Sequence, residues 1–283
     1  MAMDRYLEGV ALRSSALGES DRLLTLLTEE EGLIRLAVPG ARKPRSRLAT
    51  ALPLAHLRLQ VGGRNLPRVR QLTLVRSFSG LGERLEALAA AQALAELCLK
   101  MVPTSAPSPG WPAMLLVHLG RLEDVVAESS ERVEALAIAV QGCVHLLALG
   151  GYALPLQFCA RTGAPLDPPL GDWSWRCSLL PAEGMAAGAV AGAAMGLNAS
   201  ELALLQRLPR PAPPRSRDGK LMGPEAVWLR LLDLIALWCD EHLGSSPRAF
   251  RLLRASLETM PQPRPTAPGS KASRSTALQS TAP

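Results

Sequence analysis

The hydrophobic period of this chain changes once, near Gly80, and that change limits what it can fold into. Up to that point apolar residues fall in short runs with a period near two. Tyr6–Arg13 alternates loosely, and Asp21–Thr28 is a Leu/Thr-rich run. Leu33–Val38 follows after a Glu29–Gly32 turn in which Gly32 is free to take a positive φ. Leu57, Leu59 and Val61 alternate with Arg58 and Gln60. After a Gly62-Gly63-Arg64-Asn65 turn, Arg68 and Arg70 share one face of a last strand that Leu72, Leu74 and Val75 continue. About five such strands are too few for a sandwich. A small closed or nearly closed barrel removes their exposed edges, and the OB-fold is its five-stranded form.

Beyond Gly80 the period becomes helical: Leu81, Leu85, Leu88, Gln92, Ala95 and Leu99 form one stripe with Ala-rich filling. Pro103–Pro112 is a Pro/Ser linker, and Met114–Val126 and Glu131–Leu149 are two further helices, the second ended by Gly150-Gly151. Residues 153–197 are irregular and rich in Pro, Gly and Ala. Asn198 with Glu201 three residues on is a capping signal for a helix over Ala199–Leu208. Pro209–Gly223 is a polar loop, Pro224 opens a helix that closes near Gly244, and Arg248–Leu257 adds a short basic one. The fold class expected is α+β. Residues 1–80 form the small barrel, 81–257 a mainly helical body with an irregular insert at about 153–197, and 258–283 a disordered Pro/Ser/Thr-rich tail.

Charge follows the same division. The 283 residues carry 31 Lys/Arg and 25 Asp/Glu. Residues 1–80 hold 13 of the basic and 7 of the acidic ones, so the whole excess of six sits there, and 81–283 is balanced at 18 of each. No acidic residue lies between Glu31 and Glu83, a window that contains Arg35, Arg42, Lys43, Arg45, Arg47, Arg58, Arg64, Arg68, Arg70 and Arg76. Like charges crowded in this way repel one another unless a polyanion neutralises them, which points to nucleic acid. The sharpest local feature is Gly40-Ala41-Arg42-Lys43-Pro44-Arg45-Ser46-Arg47, four cations stiffened by one proline, suited to follow a phosphate backbone. The candidate DNA-binding residues are therefore Arg35, Arg42, Lys43, Arg45, Arg47, Arg64, Arg68 and Arg70. Tyr6 and Phe78 are the only aromatics of the first 80 residues, too few for a platform on which bases stack. Contact with phosphates and weak sequence preference are expected.

Other chemistries find little support. Walker A, GxSxG and HExxH patterns are absent, so no catalytic residues are assigned and no enzyme is expected. His56, His118, His145 and His242 are isolated and suit packing or surface roles, and Glu29-Glu30-Glu31 suits a solvated turn. Five widely spaced cysteines form no disulfide framework. Cys159-Ala160-Arg161-Thr162-Gly163 looks like a zinc knuckle whose second cysteine is Thr. Cys177 has no companion ligand, Cys98 and Cys143 lie on helical stripes, and Cys239 with His242 makes only two ligands. No cofactor and no bound zinc are expected. The N-terminus lacks a secretory h-region, and Met185–Leu197, taken as the longest apolar run, is too short and glycine-broken to span a membrane. A reducing cytoplasm is the expected setting.

Gly9–Ser14, Leu17-Gly18-Glu19-Ser20-Asp21-Arg22-Leu23, Thr25–Thr28 and Gly40–Leu48, in this order and spacing, resemble the start of the RecO family of DNA repair proteins. Leu147–Tyr152 followed by Cys159 and Thr162-Gly163 resembles that family's LxxxGYxPxLxxCxxCG segment, and Trp228–Leu253 is similar to its last helices. The resemblance spans roughly residues 4–256. It implies an N-terminal OB-fold, a helical C-terminal domain and a recombination mediator without turnover chemistry. Such a protein binds single- and double-stranded DNA, anneals complementary strands and works on the nucleoid. With RecR, and sometimes RecF, it loads a recombinase onto strands coated by single-strand-binding protein, whose acidic, apolar C-terminal tail meets the helical domain in many members. Zinc-binding members have two CxxC knuckles, the second near the position of Glu183–Ala191 here; this chain keeps only Cys159 of those four. An RNA-binding accessory factor is the alternative, since a basic OB barrel suits RNA as well.

Overall fold

The computed structural model describes residues 4–63 and 65–258, so Arg64 and all but the first residue of the 258–283 tail lie outside the described residues. Five strands, β1 (Arg5–Leu17), β2 (Asp21–Thr28), β3 (Gly32–Val38), β4 (Ala55–Gly62) and β5 (Arg68–Ser77), pair in the order β1-β2-β3-β5-β4, and β4 returns to β1. The ring closes through a narrow parallel seam, where Ala37 stands beside Arg68 and its N–H donates to Pro67 O at 2.9 Å. Alternate residues turn inward: Leu24, Leu26, Leu36, Leu57, Leu59 and Val61 are buried in one core. The segment between β3 and β4 adds Ala41, Leu48 and Ala51 to that core, so it is anchored along its length. This is the OB barrel of an α+β chain.

The body is built from α1 (Leu85–Met101), α2 (Trp111–Ala127), α3 (Arg132–Leu149), α4 (Ala199–Leu205), α5 (Glu225–Leu243) and α6 (Ala249–Glu258). Six alanines of α1 are buried, and their small side chains let α2, α3 and α6 all pack against one helix. Asn198 accepts from Glu201 N–H at 2.9 Å and the Glu201 carboxylate accepts from Asn198 N–H at 2.9 Å, the reciprocal cap that starts α4. α3 is a longer apolar run than Met185–Leu197 and is long and apolar enough to cross a membrane. It lies at the centre of the body with 67% of its length buried, as a core helix does.

Two expectations need correction. The irregular insert contains a small antiparallel sheet, ordered β7-β6-β8, of β6 (Cys177–Leu180), β7 (Gly184–Ala187) and β8 (Met195–Leu197). The Pro103–Pro112 stretch is no free linker: α2 begins within it at Trp111, and residues 103–108 run beside the β2–β3 turn. There Leu33 N–H donates to Pro103 O (3.0 Å), Ala106 N–H to Glu31 O (3.1 Å) and Ser108 N–H to Glu29 O (2.7 Å). Glu29 also accepts Gly110 N–H through its carboxylate and Glu31 pairs with Arg5, so two of the three glutamates hold this end in place. Val10, Leu12, Leu27, Leu33, Leu54 and Phe78 belong to the same core as the helices. One end of the barrel is thus plugged into the body, and the other end is free.

A buried histidine pair ties α2 to α3. His145 Nε2–H donates to Leu208 O at 2.8 Å, so its Nδ1 accepts from His118 Nε2–H at 3.1 Å, and His118 Nδ1 is left buried without a hydrogen-bond partner. Burial pushes His118 down to about 3, with His145 and Arg121 adding to the effect, and burial lowers His145 too. Both rings are neutral in the fold and take up protons first in the unfolded chain. Their contribution is fully present above the unfolded value of 6.5 and is lost as pH falls from there toward 3. Urea unfolding should therefore show stability declining with acidity by up to about 1.4 kcal/mol per pH unit for His118 alone. His118→Gln should remove about one proton from that slope relative to the parent protein.

Candidate nucleic-acid interface

The free end of the barrel is formed by the β1–β2 turn, the loop after β3 and the start of β5. Asp21 holds these together. Its carboxylate accepts Gly40 N–H at 2.8 Å, the Ser20 hydroxyl at 3.0 Å and Arg68 Nη2 at 3.4 Å. The Gly40 amide above all, then Ser20, with Arg68 and Lys43 adding their charge, keeps this carboxyl below the usual range and ionised. Arg42 completes the clamp, its N–H donating to Ser20 O at 2.9 Å and its guanidinium to Gly18 O at 3.0 Å. The two sequence segments Leu17–Leu23 and Gly40–Leu48 are therefore physically one unit. Asp21 was not among the residues singled out from sequence. Its position in the first of those segments was the signal.

Past the clamp the chain makes successive turns, Lys43 N–H to Gly40 O and Ser46 N–H to Lys43 O, with Arg45 in the left-handed region at φ 57°. Arg42, Lys43, Arg45 and Arg47 are all exposed, and none has a carboxylate within ion-pair distance among the described residues. Arg35 also lacks one and stands exposed on the outer side of β3, opposite Thr25. Arg68 and Arg70 lie at the same end but are paired, Arg68 with Asp21 at 3.4 Å and Arg70 with Asp4 at 3.1 Å. Arg64 is outside the described residues.

The acid-free window is thus not acid-free in space. Arg58 pairs with Glu8 at 2.6 Å and Arg76 pairs with Glu123 of α2, while its guanidinium lies 4.8 Å from the Phe78 ring centre. Register across β1–β4 and the docking of α2 bring in carboxylates that linear sequence kept apart. Mutual repulsion of ten cations is corrected to a smaller set, and the unpaired charge concentrates in the loop after β3. Of the two aromatics, Phe78 is buried and Tyr6 is exposed.

The knuckle-like segment does not fit zinc. Cys159 Sγ accepts Ala187 N–H at 3.4 Å, and the turn closes by Gly163 N–H to Cys159 O and Cys159 N–H to Ala164 O, both 2.8 Å. Cys177 lies across β6–β7 from Ala187. Two thiols are too few for a structural zinc, and no group of three or more His, Cys, Asp or Glu gathers among the described residues. Backbone hydrogen bonds and the β6–β7 pairing hold the element that a metal holds in zinc-binding relatives.

An OB barrel with a clamped, unpaired basic loop at its free end, carried on a helical body, defines a nucleic-acid-binding protein of the OB class. Comparison with known families makes this specific. Residues 3–78 match the family Recombination protein O N terminal, and residues 82–251 match Recombination protein O C terminal. The chain belongs to the RecO family of DNA repair proteins. It is similar to the DNA repair protein RecO of Synechococcus sp. (strain WH7803), 56% identical over 92% of this chain and 97% of that one. The RecO of Prochlorococcus marinus (strain MIT 9303) is 58% identical over 91% and 97%, and that of Trichodesmium erythraeum (strain IMS101) 31% identical over 89% and 94%.

Proposed function

We propose that this protein is a recombination mediator without turnover chemistry. Its loop of Arg42, Lys43, Arg45 and Arg47 grips the phosphate backbone of single- and double-stranded DNA, with Arg35, Arg64, Arg68 and Arg70 around it. The observation that carries this reading is the unpaired state of those four exposed cations at the barrel end farthest from the helical body. The ion pairs of Arg68 and Arg70 are exposed and weak, so a phosphate can replace either carboxylate. With one exposed aromatic on the barrel, affinity comes from phosphates and not from stacked bases.

The helical body is the partner half. In this reading it meets single-strand-binding protein, whose acidic, apolar tail seeks an apolar pocket beside a cation. A pocket of about 400 Å³ between α2, α3 and the Pro209–Pro211 segment, lined by Met114, Val117, Leu149 and Arg121, has that chemistry. RecR, and RecF in some pathways, act with the protein to load the recombinase.

Strand annealing with and without single-strand-binding protein tests the DNA contact, the partner and the mediator role together. The expected result is faster pairing of complementary strands in both conditions. If the protein fails to speed pairing of naked strands, the DNA-binding reading falls. If it acts on naked strands but not on coated ones, the mediator role falls alone.

A further inference from the structure

We propose that a groove at the junction of barrel and body is a second phosphate-backbone site, one that holds a second single strand of DNA. The inference rests on the DNA-binding reading above and adds a site to it. The groove has a volume of about 780 Å³ and is walled by β1, α1, α5 and α6. Pairing of β1 with β2 shifts register between Ala11 and Arg13. Leu12 is buried in the helical core, and the next side chain, Arg13, lines the groove. Lys100 enters from α1, Arg248 from the turn before α6, and Arg251 and Arg254 from α6.

The charge is unbalanced. Those five cations face two carboxylates, and both carboxylates are engaged. Glu96 accepts Ala249 N–H at 3.1 Å, and Asp233 pairs with Arg254. Arg13, Arg248 and Arg251 are exposed with no carboxylate in ion-pair distance among the described residues. Lys100 donates to Ser245 Oγ at 2.6 Å and keeps two further donors. The sequence after Glu258 contains Arg264, Lys271 and Arg274 and no acidic residue, so the chain's own continuation cannot neutralise the groove. The apolar residues beneath it, Leu232 and Phe250, are 2% and 5% exposed. An apolar peptide side chain finds little surface there, whereas a backbone of phosphates finds unpaired guanidinium groups.

The groove is separate from the basic loop. From Arg13 to Gly18, where the Arg42 guanidinium is seated, β1 spans five residues, about 16 Å at the usual strand rise. Ser14, Ser15, Ala16 and Leu17 lie between and carry no charge. Two basic sites an uncharged strand apart suit two strands held side by side better than one strand tracked continuously.

The test compares the full-length protein, Arg13→Ala/Arg248→Ala/Arg251→Ala and the four-residue loop variant by titration with a short labelled oligothymidylate at low salt. The intact protein is expected to bind two oligonucleotides per chain and each variant one. The groove variant should keep the parent melting temperature, slow the annealing of complementary strands and regain it when the three positions are Lys. Two oligonucleotides bound and full annealing by the groove variant would overturn the proposal. So would loss of all binding in the loop variant, although the primary reading would then stand. Absence of binding by the intact protein would remove both. Unchanged DNA stoichiometry with lost binding of an acidic peptide would make the groove a peptide site and overturn the proposal as well.

Discussion

Replacing Arg42, Lys43, Arg45 and Arg47 together with Ala should flatten the salt dependence of DNA binding far more than any other change to the barrel. Each phosphate neutralised contributes about 0.7 to the slope of log affinity against log salt on single strands and about 0.9 on duplex. Four lost contacts remove about 2.8 and about 3.6. At low salt, four contacts near 1 kcal/mol each amount to an affinity loss on the order of 10²–10³. The loss should be about equal for all sequences, because no base edge or ring is involved. Fluorescence anisotropy across a salt series measures both quantities. The fold should survive. All four side chains are exposed, and the loop is held by the Asp21–Gly40 hydrogen bond and by Ala41, Leu48 and Ala51 in the core, none of which is touched. Exposed changes of this kind cost within about 0.5 kcal/mol each. An affinity and slope equal to the parent's would move the DNA surface to Arg68 and Arg70, whose carboxylate partners a phosphate would then have to displace.

How far such a site can be seen in sequence is clear from its parts. The barrel strands were legible because inward Leu, Ile and Val alternate with outward polar residues, and Gly32 was expected in the positive-φ position it occupies, at 58°. The continuation of β1 to Leu17 was not, since Ser14–Leu17 lacks that alternation and is a strand only because β2 pairs with it. The sheet of β6, β7 and β8 escaped for a related reason. Strands of three and four residues made of Cys, Ser, Gly, Ala, Met and Leu carry no period of their own. The cations of the loop were legible as a run. Their electrostatic state was not, because Asp4, Glu8, Asp21 and Glu123 lie outside the acid-free window in sequence and reach it only through strand register and helix docking. The groove of Arg13, Arg248 and Arg251 joins residues more than two hundred positions apart, and no local pattern announces that.

Gly32→Val should have the largest effect on stability, and it should act at the joint between barrel and body. Gly32 has φ 58°, where a side chain costs about 1–2 kcal/mol and a β-branched one more. Space is also lacking. A Cβ there would lie 2.5 Å from Pro103 O and 2.6 Å from Ala106 O, both backbone atoms, so segment 103–108 has to move away. That segment is bound to the β2–β3 turn by Leu33 N–H to Pro103 O, Ser105 N–H to Leu33 O, Ala106 N–H to Glu31 O and Ser108 N–H to Glu29 O. Losing two or three of these at about 1 kcal/mol each brings the total to roughly 3–5 kcal/mol. Chemical denaturation should report that loss, and limited proteolysis should cut first at 103–108, where the freed backbone becomes accessible. The consequence for DNA should differ from that of the loop variant. Asp21, Gly40 and Arg42 lie at the opposite end of β2 and β3, so the salt slope for one short oligonucleotide at the loop should persist below the melting temperature. Annealing should fall, because Arg13 comes from the barrel and Arg248 and Arg251 from the body, and the groove exists only while the two are docked. A parent-like melting midpoint for Gly32→Val would show that the 103–108 contact contributes nothing to the joint and would leave Phe78, Leu54 and Leu12 to hold the barrel alone.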